Sequence, residues 1–294
     1  MKSGYVAVIG RANAGKSTLV NVLVGEKVAI VSPKPQTTRD RITGVLTTPT
    51  MQAAFVDTPG LYKADNLLNS YMQKTAEESA DDVDLIMFVI DAHDGLGEKD
   101  KALAAKFLSK KIPALIVLTK IDIMPESLLV SELKDLSELG AEVVPVSARK
   151  RKNIQELLKV IENLLPEGDK LFEEDIISDR SEKFMIAEIM REKILLKFEK
   201  EVPHGVAVIV NNFALRKDGE VYDISLDIIC EKGNHKSILI GKQGAAIKET
   251  ASYARQDMEK FLGKKVFLTT YVKVKEDWRS RPYLLRENGY GIED

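Results

Sequence analysis

The run Gly10-Arg-Ala-Asn-Ala-Gly15-Lys16-Ser17 constrains this chain more than any other feature. It follows the apolar segment 5–9 and opens the amphipathic stretch 16–24, which predicts a strand, a tight glycine loop and a helix in that order. In such a turn, backbone N–H groups converge at a helix N-terminus, where partial positive charge favours anions. Phosphates are the expected ligand. Gly10, Asn13, Ala14, Gly15, Lys16, Ser17 and Thr18 form the expected cradle, with Lys16 on the β and γ phosphates and the Ser17 hydroxyl on Mg²⁺.

The pattern around this loop predicts the first fold class. Apolar segments at 5–9, 44–48, 53–56, 85–90, 114–118 and 143–146 alternate with amphipathic stretches at 16–24, 68–79, 99–108 and 153–164. Short apolar strands alternating with helices predict an α/β domain, a mostly parallel sheet with helices on both faces. It is expected to span 1–167, with a linker at 168–180 where Pro166, Gly168 and a run of carboxylates break the rhythm. Residues 181–294 then read as a smaller α+β domain: helix, strand, strand, helix, helix, strand. Asp179-Arg-Ser-Glu182 is spaced as a capping box opening its first helix.

Three further segments fall at the ends of predicted strands. Asp57-Thr-Pro-Gly60 puts a carboxylate near the metal and the Gly60 N–H near the γ-phosphate. Thr119-Lys120-Ile-Asp122 supplies an acceptor for the N1–H and 2-amino group of guanine, donors that adenine lacks. Ser147-Ala148 offers the Ala148 N–H to guanine O6. The carboxyl ends of strands are where α/β sheets bind ligands, so the segments gain weight by occurring in this order.

A second glycine loop lies in Ile240-Gly241-Lys242-Gln243-Gly244, between two predicted helices. Without Cβ at Gly241 and Gly244, such a loop can press against a sugar–phosphate backbone, with Lys242 on a phosphate. Ile238, Leu239 and Ile247 would line an apolar groove for splayed bases; Ile240, Gln243 and Lys248 complete the expected RNA-binding set. Further lysines and arginines follow from Lys236 to Arg281. Trp278 could stack a base or pin the tail to the core; packing is the favoured reading.

Taken together, the run from Gly10 to Ser17, Pro35-Gln-Thr-Thr38-Arg, Asp57 to Gly60, Thr119 to Asp122 and Ser147-Ala148 resembles the translation-factor-like P-loop GTPases. The C-terminal pattern resembles the KH fold of the α-β-β-α-α-β type. The resemblance implies GTP and GDP as ligands with Mg²⁺ held by Ser17, Thr38 and Asp57, Thr38 closing on the metal when GTP is bound. It makes Lys16, Thr38, Gly60 and Asn13 the catalytic set. In relatives with a similar phosphate loop the matching asparagine holds K⁺ against the phosphates, so Asn13 is a candidate K⁺ ligand. Two departures stand out. Thr119 replaces the asparagine that usually begins the fourth motif, and its hydroxyl is shorter. Leu61 stands where Ras-like proteins carry a water-orienting glutamine, which predicts slow intrinsic turnover, on the order of 10⁻³ s⁻¹ or less.

The combined resemblance implies a switch that binds single-stranded ribosomal RNA, the 3′ end of the small-subunit RNA, during assembly of that subunit. An RNA-binding assembly chaperone whose nucleotide is mainly structural is the alternative. DNA is not an expected partner, and a cytoplasmic monomer is expected, with peripheral association at the inner face of the membrane left open. Cys230 is the only cysteine, so no internal disulfide forms, and its apolar neighbours mark it as a buried thiol. The formal net charge of −2 excludes a protein basic throughout. The apolar runs are too short for a membrane span, and His93, His204 and His235 lack metal-ligand spacing.

Overall fold

The computed structural model describes residues 1–60, 65–94 and 97–291. They form two compact units. The first comprises residues 1–31, 38–60, 72–94 and 97–179; the second comprises 32–37, 65–71 and 180–291.

In the first unit the strands are β1 (Lys2–Gly10), β2 (Ile42–Thr47), β3 (Met51–Asp57), β4 (Leu85–Asp91), β5 (Ala114–Thr119) and β6 (Glu142–Pro145). They make one sheet in the order β2-β3-β1-β4-β5-β6, parallel throughout except for the antiparallel β2–β3 pair. The two-residue side-chain period sends alternate residues to opposite faces. Val6, Val8, Phe55, Met87, Val89, Leu115 and Val117 pack on one face with α1 (Lys16–Val24) and α5 (Ile154–Leu164). Ile9, Ile86, Phe88, Ile90, Ile116 and Leu118 pack on the other with α3 (Glu98–Leu108) and α4 (Glu126–Ser137). The remaining helix, α2, runs Leu67–Glu78. Crossover helices on both faces explain why these strands are apolar on both sides.

The helix α4 goes beyond the segments singled out above. Leu128 and Val130 point to solvent while Leu136 is fully buried, which blurs its apolar stripe. Residues 168–179 lie along the first unit. Gln52 accepts from the N–H groups of Leu171 and Phe172, and Asp179 Oδ1 accepts from Thr43 N at 2.9 Å.

The second unit holds α6 (Glu182–Lys197), β7 (Ala207–Leu215), β8 (Val221–Cys230), α7 (Gly233–Ile240), α8 (Ala245–Leu262), β9 (Lys265–Val274) and α9 (Pro282–Glu287). Strand β8 is central, antiparallel to β7 and parallel to β9. Ile224, Leu226, Ile228 and Cys230 alternate along β8 and pack against Ile186, Ile189, Met190 and Ile194 of α6 and Ala254 and Met258 of α8. The α6 cap is Ser181, which accepts from Phe184 N; the predicted box fails because the helix starts two residues later than a cap at Asp179 requires, and Asp179 instead accepts from Thr43 N. A bulge between Val210 and Asn212 carries β7 on to Leu215, past the point where its alternation fades. Trp278 is fully buried, donates from Nε1 to Gly205 O at 2.9 Å and stacks on Tyr290. Its role is packing.

Candidate nucleotide and nucleic-acid sites

All four nucleotide segments sit at the carboxyl edge of the first sheet. The phosphate loop leaves β1, Asp57 ends β3, Thr119 ends β5, and Ser147-Ala148 follows β6. Gly15 caps α1 in the left-handed region, and Lys16 begins the helix. Lys16 Nζ, buried, donates to Gly10 O at 3.0 Å and Arg11 O at 2.8 Å. Burial lowers its pKa to about 8 against the opposing attraction of Asp57. The ammonium is thus held inside the loop's own curvature, ready for a negative ligand. Asn13 is exposed in the left-handed region, and Ala14 is buried.

Ser17, Thr38 and Asp57 come together. Ser17 Oγ donates to Asp57 Oδ2 at 2.7 Å and lies 2.8 Å from Thr38 Oγ1, which is 3.3 Å from the same carboxylate oxygen. The other oxygen, Asp57 Oδ1, is buried with no hydrogen-bond partner. Desolvation raises the Asp57 pKa, opposed by Ser17 and Lys16. One carboxylate and two hydroxyls make an all-oxygen donor set, and the orphaned oxygen leaves coordination to spare. That fits a hard cation such as Mg²⁺.

Gly60 faces the phosphate loop so closely that a Cβ there would lie 2.8 Å from Ala12 Cα. Only glycine brings this N–H so near the phosphate cradle. Leu61 lies outside the described residues.

In the guanine segment, Thr119 Oγ1 lies 2.6 Å from Ala14 O and 3.0 Å from Ile90 O. The shorter side chain still reaches the phosphate loop. Lys120 turns through the left-handed region and pairs with Asp91. Ser147 Oγ donates to Asp122 Oδ1 at 2.6 Å and accepts from Lys150 N at 3.1 Å. The Ser147 bond lowers the Asp122 pKa and so favours an ionised acceptor at this strand edge.

In the second unit, Gly241 ends α7 and Gly244 caps α8, both at positive φ, with Gln243 at positive φ between them. A Cβ on Gly241 would meet Ala246 Cβ at 2.6 Å, so the loop folds back on α8 only as glycine. Lys242, Gln243 and Lys248 are exposed, Ile240 and Ile247 are half-buried, and Ile238 is exposed. Leu239 is not part of this surface: it is fully buried in the core, on the opposite face of α7. The basic tract also contracts. Lys260, Lys265, Lys273, Lys275, Arg255 and Arg279 are in ion pairs with carboxylates. Among the described residues, Lys242 in the glycine loop and Lys248 at the start of α8 are exposed and form no ion pair, and Lys236 lies half-buried on α7. No group of His, Cys, Asp and Glu suited to a metal occurs among the described residues.

This is the architecture of a P-loop GTPase followed by a KH-type domain. A family profile described as "50S ribosome-binding GTPase" matches residues 5–120, and one described as "KH domain" matches 201–279. The chain is 46% identical over 292 residues to the GTPase Era of Clostridium kluyveri, covering 99% of both chains. It is 45% identical to that of Clostridium novyi, covering 98% of this chain and 99% of the other. A crystal structure of Era in complex with MgGDPNP and nucleotides 1506-1542 of 16S ribosomal RNA is similar at TM-score 0.95 and 40% identity, covering 99% of this chain and all of that one. A variant of Aquifex aeolicus Era bound to GDP·AlF4⁻ is similar at TM-score 0.93 and 41% identity, with the same coverage. The chain belongs to the Era family of GTPases.

Proposed function

We propose that this GTPase is a switch whose nucleotide state governs capture of single-stranded RNA at the 3′ end of the small-subunit ribosomal RNA. The carrying observation is the convergence of Ser17, Thr38 and Asp57 at one sheet edge, with the Lys16 ammonium buried beside them. In this reading, Ser17, Thr38 and Asp57 hold Mg²⁺, which when bound neutralises the phosphate charge. Lys16 orients the β and γ phosphates, and the Gly60 N–H donates to a γ-phosphate oxygen. Asn13, exposed in the phosphate loop, holds K⁺ against the phosphates in this reading. Asp122 accepts from guanine N1–H and the 2-amino group, the Ala148 N–H donates to O6, and Ser147 and Lys120 brace the base pocket. Leucine at 61 has no group to hold water, so intrinsic turnover is slow.

The RNA half rests on Gly241 and Gly244 pressing on the backbone, with Lys242 and Lys248 on phosphates and Ile240 and Ile247 against bases. Support comes from the uncompensated lysines there and from the RNA-bound relative of near-identical fold. A small ribosomal subunit under assembly in the cytoplasm is the partner this implies. Crosslinking with a GTP analogue and then with GDP, followed by sequencing of the captured RNA, tests the reading. Enrichment of the 3′ end of small-subunit RNA with the GTP analogue supports it; equal recovery in both states refutes the switch.

A further inference from the structure

The second unit contains residues 32–37 of the segment that leads into Thr38. This strap is folded on itself. Thr37 Oγ1 donates to Lys34 O at 2.7 Å and lies 2.9 Å from Ser32 Oγ, which accepts from Lys34 N at 3.0 Å. Gln36 Nε2 donates to Asn69 Oδ1 at 3.0 Å. Two cationic side chains then fix the strap to α6. Lys34 Nζ donates to the carbonyls of Leu195 and Phe198, completing the helix C-terminus. From the helix side, Arg191 donates to Gln36 O at 3.3 Å and to Thr37 O.

Arg191 is only 2% exposed, yet it is charged. Glu188 holds its guanidinium on one edge, through Nε at 2.6 Å, which aims the remaining donors at the strap. A planar fork held by a carboxylate and delivering its other donors to two consecutive carbonyls fixes direction as well as distance. Helix packing alone needs no arginine at this position. The next residue after Thr37 is Thr38, whose hydroxyl stands beside Ser17 and Asp57. One peptide bond joins the clamped carbonyl to that residue.

We infer that Arg191 is a positioning residue for the GTP state: by clamping the 36 and 37 carbonyls to α6, it sets Thr38 to close on the metal. This rests on the reading of Thr38 given above. The clamp also joins the nucleotide-sensing strap to the helix that packs beneath the sheet of the RNA-binding unit.

The GDP state has no γ-phosphate for the strap to close on, so a positioning role separates the two nucleotides. Arg191→Met, which keeps an unbranched apolar stem and removes the donors, should raise the Mg²⁺ half-saturation of GTP hydrolysis and weaken a GTP analogue roughly tenfold. GDP affinity should stay within about twofold of wild type. Arg191→Lys, which keeps the charge but on a single donor nitrogen, should recover part of the difference. Equal losses for both nucleotides, or no change in a folded Arg191→Met, overturn the inference. If Arg191→Met does not fold, Lys34→Ala supplies the same readout from the other end of the clamp, and an unchanged GTP-to-GDP ratio there overturns it. Thr38→Ala separates the two levels. A wild-type Mg²⁺ dependence in Thr38→Ala removes the underlying reading and the clamp with it; the expected split in Thr38→Ala but not in Arg191→Met removes the clamp alone.

Discussion

Thr119 Oγ1 and the carbonyl of Ala14 stand 2.6 Å apart, so the guanine segment is tied to the phosphate loop by a buried hydroxyl. A threonine thereby does the bracing for which relatives use the longer asparagine. It succeeds because β5 lies next to β4 and ends level with the loop, so no extra reach is needed. The same oxygen lies 3.0 Å from Ile90 O, joining three segments at one point.

Thr119→Val keeps the shape and removes the donor. It leaves a buried carbonyl short of a partner, at a cost of about 1–3 kcal/mol. Chemical denaturation should show the loss, with nucleotide affinity falling in parallel. Unchanged stability and affinity would mean that the phosphate loop does not lean on this bond.

Asp122→Asn replaces an acceptor with a group that presents a donor. GTP affinity should fall by about 1–3 kcal/mol or more. The variant should gain in relative preference for xanthine nucleotides, whose C2 oxygen accepts a hydrogen bond. Calorimetry with both nucleotides checks this, and undiminished GTP binding would remove Asp122 from the base pocket.

Gly241→Ala places a Cβ at φ +71, 2.6 Å from Ala246 Cβ, and should distort the loop. Lys242→Ala, at an exposed position, should leave the fold intact and remove the proposed phosphate contact. Both should weaken binding of a single-stranded RNA, the lysine change with a shallower salt dependence by about one unit of slope. GTP hydrolysis without RNA should be unaffected in Lys242→Ala. An RNA affinity insensitive to Lys242→Ala would move the binding surface elsewhere.

Cys230 gives a pH signature. The thiol is fully buried, and desolvation raises its pKa above the ordinary 9.0. The unfolded thiol ionises first as pH rises, so the stability this group contributes is complete below about pH 9 and is lost above it. The stability difference between wild type and Cys230→Ala should shrink as pH is raised from about 8 to 10. Denaturation curves across that range test it, and a constant difference would contradict the burial-driven shift.

Much of the fold was legible because local patterns and tertiary demands agree. The apolar strands 85–90 and 114–118 read clearly since both their faces are covered, and Asp122 and Ser147, each just past a strand, meet through a 2.6 Å hydrogen bond. Thr38 was legible only through family resemblance; its approach to Asp57 joins residues 19 positions apart with no periodic signal. The clamp was illegible for a deeper reason. Arg191 meets backbone carbonyls 155 and 154 positions earlier, and carbonyls carry no sequence identity to match. The basic tract misled in the opposite direction, because residue counts do not show that Lys273 is paired with Asp227 or Arg279 with Glu231. Leu239 was misplaced by adjacency, since consecutive helical residues point about 100° apart and only Ile238 and Ile240 flank the loop.

Control of RNA capture by nucleotide state can be read from a single titration. A single-stranded RNA carrying the 3′ end of the small-subunit RNA is titrated with the protein saturated with Mg²⁺ and a non-hydrolysable GTP analogue, and then with GDP. Binding should be tighter in the GTP-like state, by roughly 5–150-fold for coupling of ordinary size. Equal affinity in the two states would contradict it, and would leave the nucleotide a structural ligand of an RNA-binding chaperone.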